Sequence, residues 1–482
     1  MAREQTVVDN DGAGSSKSKR PDAVGAESWS DWFQCAKEAW AEHWASNQVE
    51  LCHNNSSESG GGGGGGGSFR CMVPQPGRTK EPWFCHGGGG VVVNFTAIDF
   101  DRIGYSVPTT QSKFKLPVGF LSPIGCAAPD PMVAPAALSG DGLPLAATLR
   151  FLLPGGISWT DPSISRCTKV VRGRMVVLTT RAAVKNWFHG SFQLVEIMLM
   201  IMAANVFATD APKPIDIVLL PPDKGNSGNH GNHLSIIEAF ADHGKVYSAV
   251  DLKKEVVCYE SAVVALGRHA AFHAHTTPKV REFDRVAQGK CSNISSGGTG
   301  QNPTYMAFTG LIKRRLGIAP LYRPPRAPPH VVLITRLKQQ AKYSRSYPNL
   351  KRQILNQPAV VAALDAATGF STTVIDLQDH TFRDQVALMG SACVVVAMHG
   401  AGLTNIMFMP PGSHVVEIAK AGSYGAKAKL FEAIAGQSGV QHSLLLVPEG
   451  DCTPNDSCTV PVHKLLSAVS ANVARCTVGN VF

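Results

Sequence analysis

The run Cys393-Val-Val-Val-Ala-Met-His399-Gly-Ala-Gly-Leu-Thr-Asn405 carries the sharpest chemistry in the chain. An apolar strand runs into a glycine-punctuated loop and then into a helical segment. A helix N-terminus presents unpaired N–H groups and a partial positive charge. Gly400 and Gly402 let the backbone of His399, Gly400, Ala401, Gly402, Leu403 and Thr404 come close to a ligand, and phosphate is the natural guest. Thr404 can add a hydroxyl, and a neutral His399 can donate to a phosphate oxygen or a sugar hydroxyl. The same pattern also suits a tight strand-to-helix turn whose histidine only caps the helix, because short glycine motifs are unspecific.

The elements that must position these residues alternate regularly. Strands are predicted at Val331–Thr335, Thr373–Asp376, Cys393–Ala397, Val415–Ala419 and Ser443–Val447. Helical segments fall between them: one from Asn349, and one begun by Pro358 and ended before Gly369. Others are Phe382–Met389 behind a Thr381/Asp384 capping pattern, Leu403–Met409 and Ala426–Ala435, with a final amphipathic helix through Val462, Leu465, Leu466, Val469 and Val473. Strands alternating with helices imply a parallel, doubly wound sheet, whose ligands lie beyond the carboxyl ends of the strands.

Upstream, residues 1–90 read as an irregular leader interrupted by the polyglycine tract Gly60–Gly67. Within it, the spacing of Trp29/Trp32 and Trp40/Trp44 suggests one packed amphipathic piece. Residues 91–317 have a mixed α/β pattern. Val170–Thr179 reads as a strand region broken by an Arg172-Gly-Arg174 turn, Val195–Ala208 as a buried helix, and Ile215–Leu220 as a strand. The proline-rich segment 318–329 reads as a stiff linker to a C-terminal lobe, residues 330–482.

Composition narrows the class. With 482 residues, 44% of them apolar, the chain can bury more than one core. The net charge of +9 is scattered, with no basic block and no aromatic-plus-basic platform, which argues against nucleic acid as a partner. No apolar run is long enough to predict a membrane span, and the polar N-terminus shows no signal or anchor. Twelve cysteines occur without a CxxC, so neither a zinc ribbon nor a thioredoxin-type site is expected; Cys452 and Cys458 close a short loop and could pair. Together with sequons at Asn54, Asn55, Asn94, Asn293 and Asn455, the cysteines lean toward a secretory protein.

Residues 376–418 resemble the signature of glycosyltransferase family 61. That family includes plant β-1,2-xylosyltransferases, xylan arabinofuranosyl- and xylosyltransferases, and animal O-linked N-acetylglucosaminyltransferases of the secretory pathway. The matching residues are Phe382, Asp384-Gln385, Val394–Ala397, His399–Asn405, Phe408, Pro411-Gly412 and Glu417. Weaker echoes are Arg336, Arg352-Gln-Ile-Leu-Asn356 and Asn186-Trp-Phe-His189; Gln193 stands where the family has an Asp. The resemblance implies a GT-B-like fold: two Rossmann-like lobes with parallel sheets facing a cleft, the donor in the C-terminal lobe. It implies a UDP-sugar donor carrying xylose, N-acetylglucosamine or arabinose, a glycan or glycoprotein acceptor, no cofactor or metal, and a Golgi or endoplasmic reticulum lumen.

Glycosyl transfer requires stabilising a leaving diphosphate and deprotonating an acceptor hydroxyl. Without a metal, cationic side chains and helix N-termini must do the first. Arg336, after the first C-terminal strand, is the candidate phosphate clamp, and Glu417 a candidate acceptor of ribose hydroxyls. His399 and His189 are the candidate catalytic histidines, His189 on the acceptor side; no residue stands out as the base. A mobile donor loop around Tyr343–Tyr347 and a metal–nucleotide motif at Asp99-Phe-Asp101 are weaker readings. Two rivals remain. One is a family-like binding protein without turnover. The other is a serine hydrolase using Ser423 with Asp451 or Asp456 and His463, although no strict G-x-S-x-G is present.

Overall fold

The computed structural model describes residues 29–46, 48–53, 68–72, 85–88, 90–97, 120–123, 167–180, 195, 198, 202, 214–220, 237–238, 241, 244–265, 289–291, 301–318, 328–336, 352–422 and 429–479. The first element among the described residues is helix Trp29–Ala45. Trp32 and Trp40 face inward, and Trp40 Nε1 donates to Thr304 Oγ1 at 3.0 Å. A Cys35–Cys291 disulfide adds a covalent tie. Thr304 lies in helix Pro303–Arg315, which has proline in its first turn and the Asn302 side chain accepting from the N–H groups of Thr304 and Tyr305.

Among the described residues, nine strands form the first sheet: β1 (Gln48–His53), β2 (Ser68–Met72), β3 (Cys85–Gly88), β4 (Val91–Asn94), β5 (Leu121–Pro123), β6 (Lys169–Thr180), β7 (Ile215–Leu220), β8 (Val246–Ser248) and β9 (Val256–Ala265). Its centre, β9-β6-β7-β8, is parallel, and β1-β2-β3 extends it antiparallel from β9. Residues 48–88, read from sequence as part of an irregular leader, therefore supply three strands. Their short runs, none with a sustained apolar alternation, hid a pairing that only distant partners satisfy. The Arg172-Gly-Arg174 turn is a bulge inside β6 rather than a break. Gly173 sits at φ +67°, and the register with β9 shifts between Val171 and Met175. Val195, Met198 and Met202 are helical and buried, on the expected helix face.

The second sheet contains β10 (His330–Thr335), β11 (Ser371–Asp376), β12 (Val394–Met398), β13 (His414–Lys420) and β14 (Gln441–Val447), in the order β11-β10-β12-β13-β14, every pair parallel. β10, β12 and β13 are valine- and isoleucine-rich and buried on both faces, as parallel sheets require. Val332, Ile334, Val395 and Val415 pack in one core with Phe382 and Val386 of helix Phe382–Ser391 and with Phe431 and Ile434 of helix Lys429–Gln437. Val331, Leu333, Val394, Val396 and Val416 pack in another with helices Gln357–Ala366 and Val462–Gly479. The doubly wound half expected from the sequence is present. Cys393–Cys476 pins the last helix to the start of β12, and Cys452–Cys458 pair as their spacing suggested.

Two local expectations differ. The segment after His399 is an eight-residue 3₁₀ helix, Ala401–Phe408, rather than an α-helix. Its last six residues are buried, and the narrower 3₁₀ coil fits between the helices flanking it. The helix begun by Pro358 is present as Gln357–Ala366, whereas the separate helical segment placed from Asn349 is not helical over residues 352–356, which are engaged in backbone pairing with the Cys452–Cys458 loop; residues 349–351 lie outside the described residues. No helix among the described residues is long and apolar enough to cross a membrane.

Candidate functional site

The order β11-β10-β12 means that the chain leaves β10 in one direction and returns on its other side. At such a switch point the loops after the two strands diverge and leave a crevice. Arg336 directly follows β10, and His399-Gly400 directly follow β12. The structure brings them together: a Cβ built on Gly400 would lie 2.0 Å from Arg336 Nη2. Only glycine there leaves the guanidinium in place, so Arg336 and the His-Gly turn form one unit.

His399 continues the β12–β13 ladder by one bond, its N–H donating to Ile418 O at 2.8 Å. Its Nδ1 lies 2.6 Å from Glu417 Oε1, and its ring meets the Phe431 ring edge-on at 5.3 Å. Glu417, in the middle of β13, is 0% exposed. Its other oxygen, Oε2, lies 2.7 Å from His442 Nε2 on the neighbouring strand β14. A wholly buried carboxylate is tolerable only when hydrogen-bonded, and two imidazoles meet that need here. Glu417, expected to accept from ribose hydroxyls, contacts a histidine through each of its two oxygens.

The loop carrying Arg352 and Gln353 holds the turn from behind. Gln353 Nε2 donates to Arg336 O at 2.7 Å, and Arg352 Nη1 to His399 O at 3.4 Å. Arg352 in turn pairs with Asp456 at 3.8 Å, inside the loop closed by Cys452–Cys458. Asn356 fixes the same junction through two 2.8 Å bonds with the backbone of Val460. The Arg352–Asn356 echo thus has a mechanical meaning: it clamps the backbones of both residues at the switch point.

Other motif residues are architectural. Gln385 Oε1 accepts from Asn405 Nδ2 at 3.0 Å while its amide donates to Leu377 O and His380 O. Phe382 and Phe408 stack edge-to-face at 5.8 Å, and Thr381 caps its helix through Asp384 N–H. Leu403 and Thr404 are buried, and the Thr404 hydroxyl has no hydrogen-bond partner among the described residues. Of the residues nominated in the turn, His399, Ala401 and Gly402 keep partial exposure, Gly400 is covered, and Arg336 is half-buried beside it. His189, Gln193, Tyr343–Tyr347, Asp99, Asp101 and Ser423 lie outside the described residues. His442 was missed. In sequence it is one histidine at the start of a strand, and only the β13–β14 register, pairing Val415 with His442 and Glu417 with Leu444, brings it to Glu417. Among the described residues no group of three or more metal-binding side chains is arranged to hold an ion.

Fold and site define a class: an α/β protein with a basic side chain and a His-Gly turn at the switch point of a parallel sheet. The Glycosyltransferase 61 family model matches residues 119–416, and the chain belongs to that family. Over 174 residues it is 29% identical to the Drosophila melanogaster EGF domain-specific O-linked N-acetylglucosamine transferase, covering 36% of this chain and 28% of that protein. The Mus musculus protein of the same name is 26% identical over 260 residues, 53% of this chain and 42% of that one. Human protein O-linked-mannose beta-1,4-N-acetylglucosaminyltransferase 2 is 42% identical over 67 residues, 14% of this chain and 12% of that one. The chain therefore spans less than half the length of each of these relatives.

Proposed function

We propose that this protein is a glycosyltransferase that moves a sugar from a UDP-sugar to a hydroxyl of a glycan or glycoprotein, with the donor diphosphate at the β10/β12 switch point. The observation that carries this reading is the contact of Arg336 with Gly400 beside His399. In the transfer, the bond from the anomeric carbon to the diphosphate oxygen breaks, and negative charge grows on the diphosphate. A guanidinium held at the crevice and the first N–H groups of the Ala401–Phe408 helix are suited to stabilise that charge without a metal or other cofactor. The acceptor hydroxyl must lose a proton, and inversion needs one base near it. His189 is the acceptor-side candidate. The two sheets are read as the paired lobes of a GT-B-like arrangement, with the acceptor meeting the donor in a cleft.

The names of the relatives favour N-acetylglucosamine over xylose or arabinose as the transferred sugar, and an O-linked glycoprotein acceptor. Cysteine pairs Cys35–Cys291, Cys167–Cys258, Cys393–Cys476 and Cys452–Cys458 favour an oxidising compartment, consistent with a Golgi or endoplasmic reticulum lumen. The test is UDP release from a panel of UDP-sugars with candidate acceptor glycans, with and without EDTA, beside a His399→Ala sample. EDTA-resistant release from UDP-N-acetylglucosamine, lost in the variant, is expected. UDP binding without release from any donor would favour the non-catalytic alternative; the absence of both release and binding would overturn the reading.

A further inference from the structure

Resting on the reading above, we propose that His442 is a positioning residue that acts through Glu417 to fix the tautomer and orientation of His399. Both oxygens of Glu417 are occupied at short range, Oε1 by His399 Nδ1 at 2.6 Å and Oε2 by His442 Nε2 at 2.7 Å. An ionised carboxylate only accepts hydrogen bonds, so each of these nitrogens is the N–H donor. In the neutral His399 ring Nε2 is therefore the acceptor. Such a ring does not donate from Nε2 to a phosphate oxygen. It takes a proton there, and donates one to an anionic oxygen only as the imidazolium, whose charge Glu417 balances.

That assignment holds only while Glu417 keeps its plane. A carboxylate held at one oxygen can rotate about its last torsion, which is broad and soft. His442 removes that freedom by holding the second oxygen from a rigid strand, with its own side chain 9% exposed. Phe431 limits the ring from the side. The three residues come from the loop after β12, from β13 and from β14, so the array is set by sheet register and not by a flexible loop.

The experiment compares His442→Phe, which removes the donor at similar bulk, with His442→Gln, whose amide can reach the same oxygen. The first readout is the ¹⁵N spectrum of histidine-labelled protein, with the His399 signal assigned by its loss in His399→Ala. In wild type and His442→Gln, His399 is expected as the single Nδ1–H tautomer. In His442→Phe, the two tautomers are expected to mix. The second readout is steady-state UDP release. His442→Phe is expected to lower kcat by about tenfold with little change in the KM for donor and to shift the pH–rate profile, while His442→Gln stays within about threefold of wild type. Should His442→Phe not fold, His442→Asn, whose amide is too short to reach Glu417, takes its place. An unchanged His399 tautomer in the folded variant would overturn the proposal. So would a variant that loses only thermal stability while keeping the wild-type kcat and pH profile. The spectrum does not need turnover, so failure of this proposal is distinguishable from failure of the glycosyltransferase reading.

Discussion

The two sheets each place charged groups at the end of parallel strands, but at opposite ends. In the second sheet Arg336 and His399 follow the carboxyl ends of β10 and β12, where the order reverses. In the first sheet the buried charge is Asp216, near the amino end of β7. It accepts from Arg174 Nη1 at 2.8 Å and from the Lys245 N–H at 2.9 Å, and so ties β6 and β7 to the start of β8. Tyr259, buried nearby on β9, has its hydroxyl pKa pushed above the ordinary range by burial and then by the Asp216 charge. Position along the strand separates the roles. Groups at the amino end are consumed by the protein itself, whereas the carboxyl end of a switch point is where open α/β sheets place their ligands.

Substitutions can break that contrast. Arg336→Ala should lower donor turnover and UDP affinity by roughly 10²- to 10³-fold while changing stability by less than about 1 kcal/mol, checked by UDP release and thermal melts. Asp216→Ala should do the reverse, costing about 1–3 kcal/mol of stability, read by chemical denaturation, with UDP affinity unchanged. If the two patterns were exchanged, the assignment of roles by strand end would be wrong. Gly400→Ala should weaken UDP binding by about tenfold, because its Cβ must push aside the Arg336 guanidinium. A calorimetric titration of this variant equal to wild type would dissociate the glycine from the arginine.

The smallest effect concerns His414, at the foot of β13. Burial, and then the nearby Arg475, push its pKa down from 6.5 to about 4. Neither ring nitrogen has a partner among the described residues. Between about pH 4 and 6.5 the unfolded chain binds a proton that the folded protein refuses, so wild type should lose stability as pH falls through that window. His414→Leu should flatten this part of the profile in melts at pH 7 and pH 5. Parallel curves for the two proteins would place the acid sensitivity elsewhere.

The second sheet was legible because its strands are continuous apolar runs and its helices carry local signals, such as Thr381 before Phe382 and Pro358 at a helix start. Both cues are read within a few residues. The ribbon of β1, β2 and β3 was not legible, since its strands gain their partners only from one another and from β9. In the candidate site, the nearness of Arg336 to the His399-Gly400 turn was legible because each sits directly after a strand. The two histidine contacts of Glu417 were not legible, because sequence does not show which side chains meet its oxygens. Thr404 was assigned a hydroxyl contact by its place after the glycines, whereas the 3₁₀ geometry turns the segment inward. His442 depended on strand register, which no local pattern encodes.

On the proposed function, the donor nucleotide lies between Arg336 and the His399-Gly400 turn. Isothermal titration of UDP into wild type, Arg336→Ala and Asp216→Ala, all confirmed folded, tests it most directly. Saturable binding is expected for wild type and Asp216→Ala, with a loss of at least tenfold in affinity for Arg336→Ala. Equal affinity in Arg336→Ala and wild type would contradict it and move the nucleotide away from the switch point.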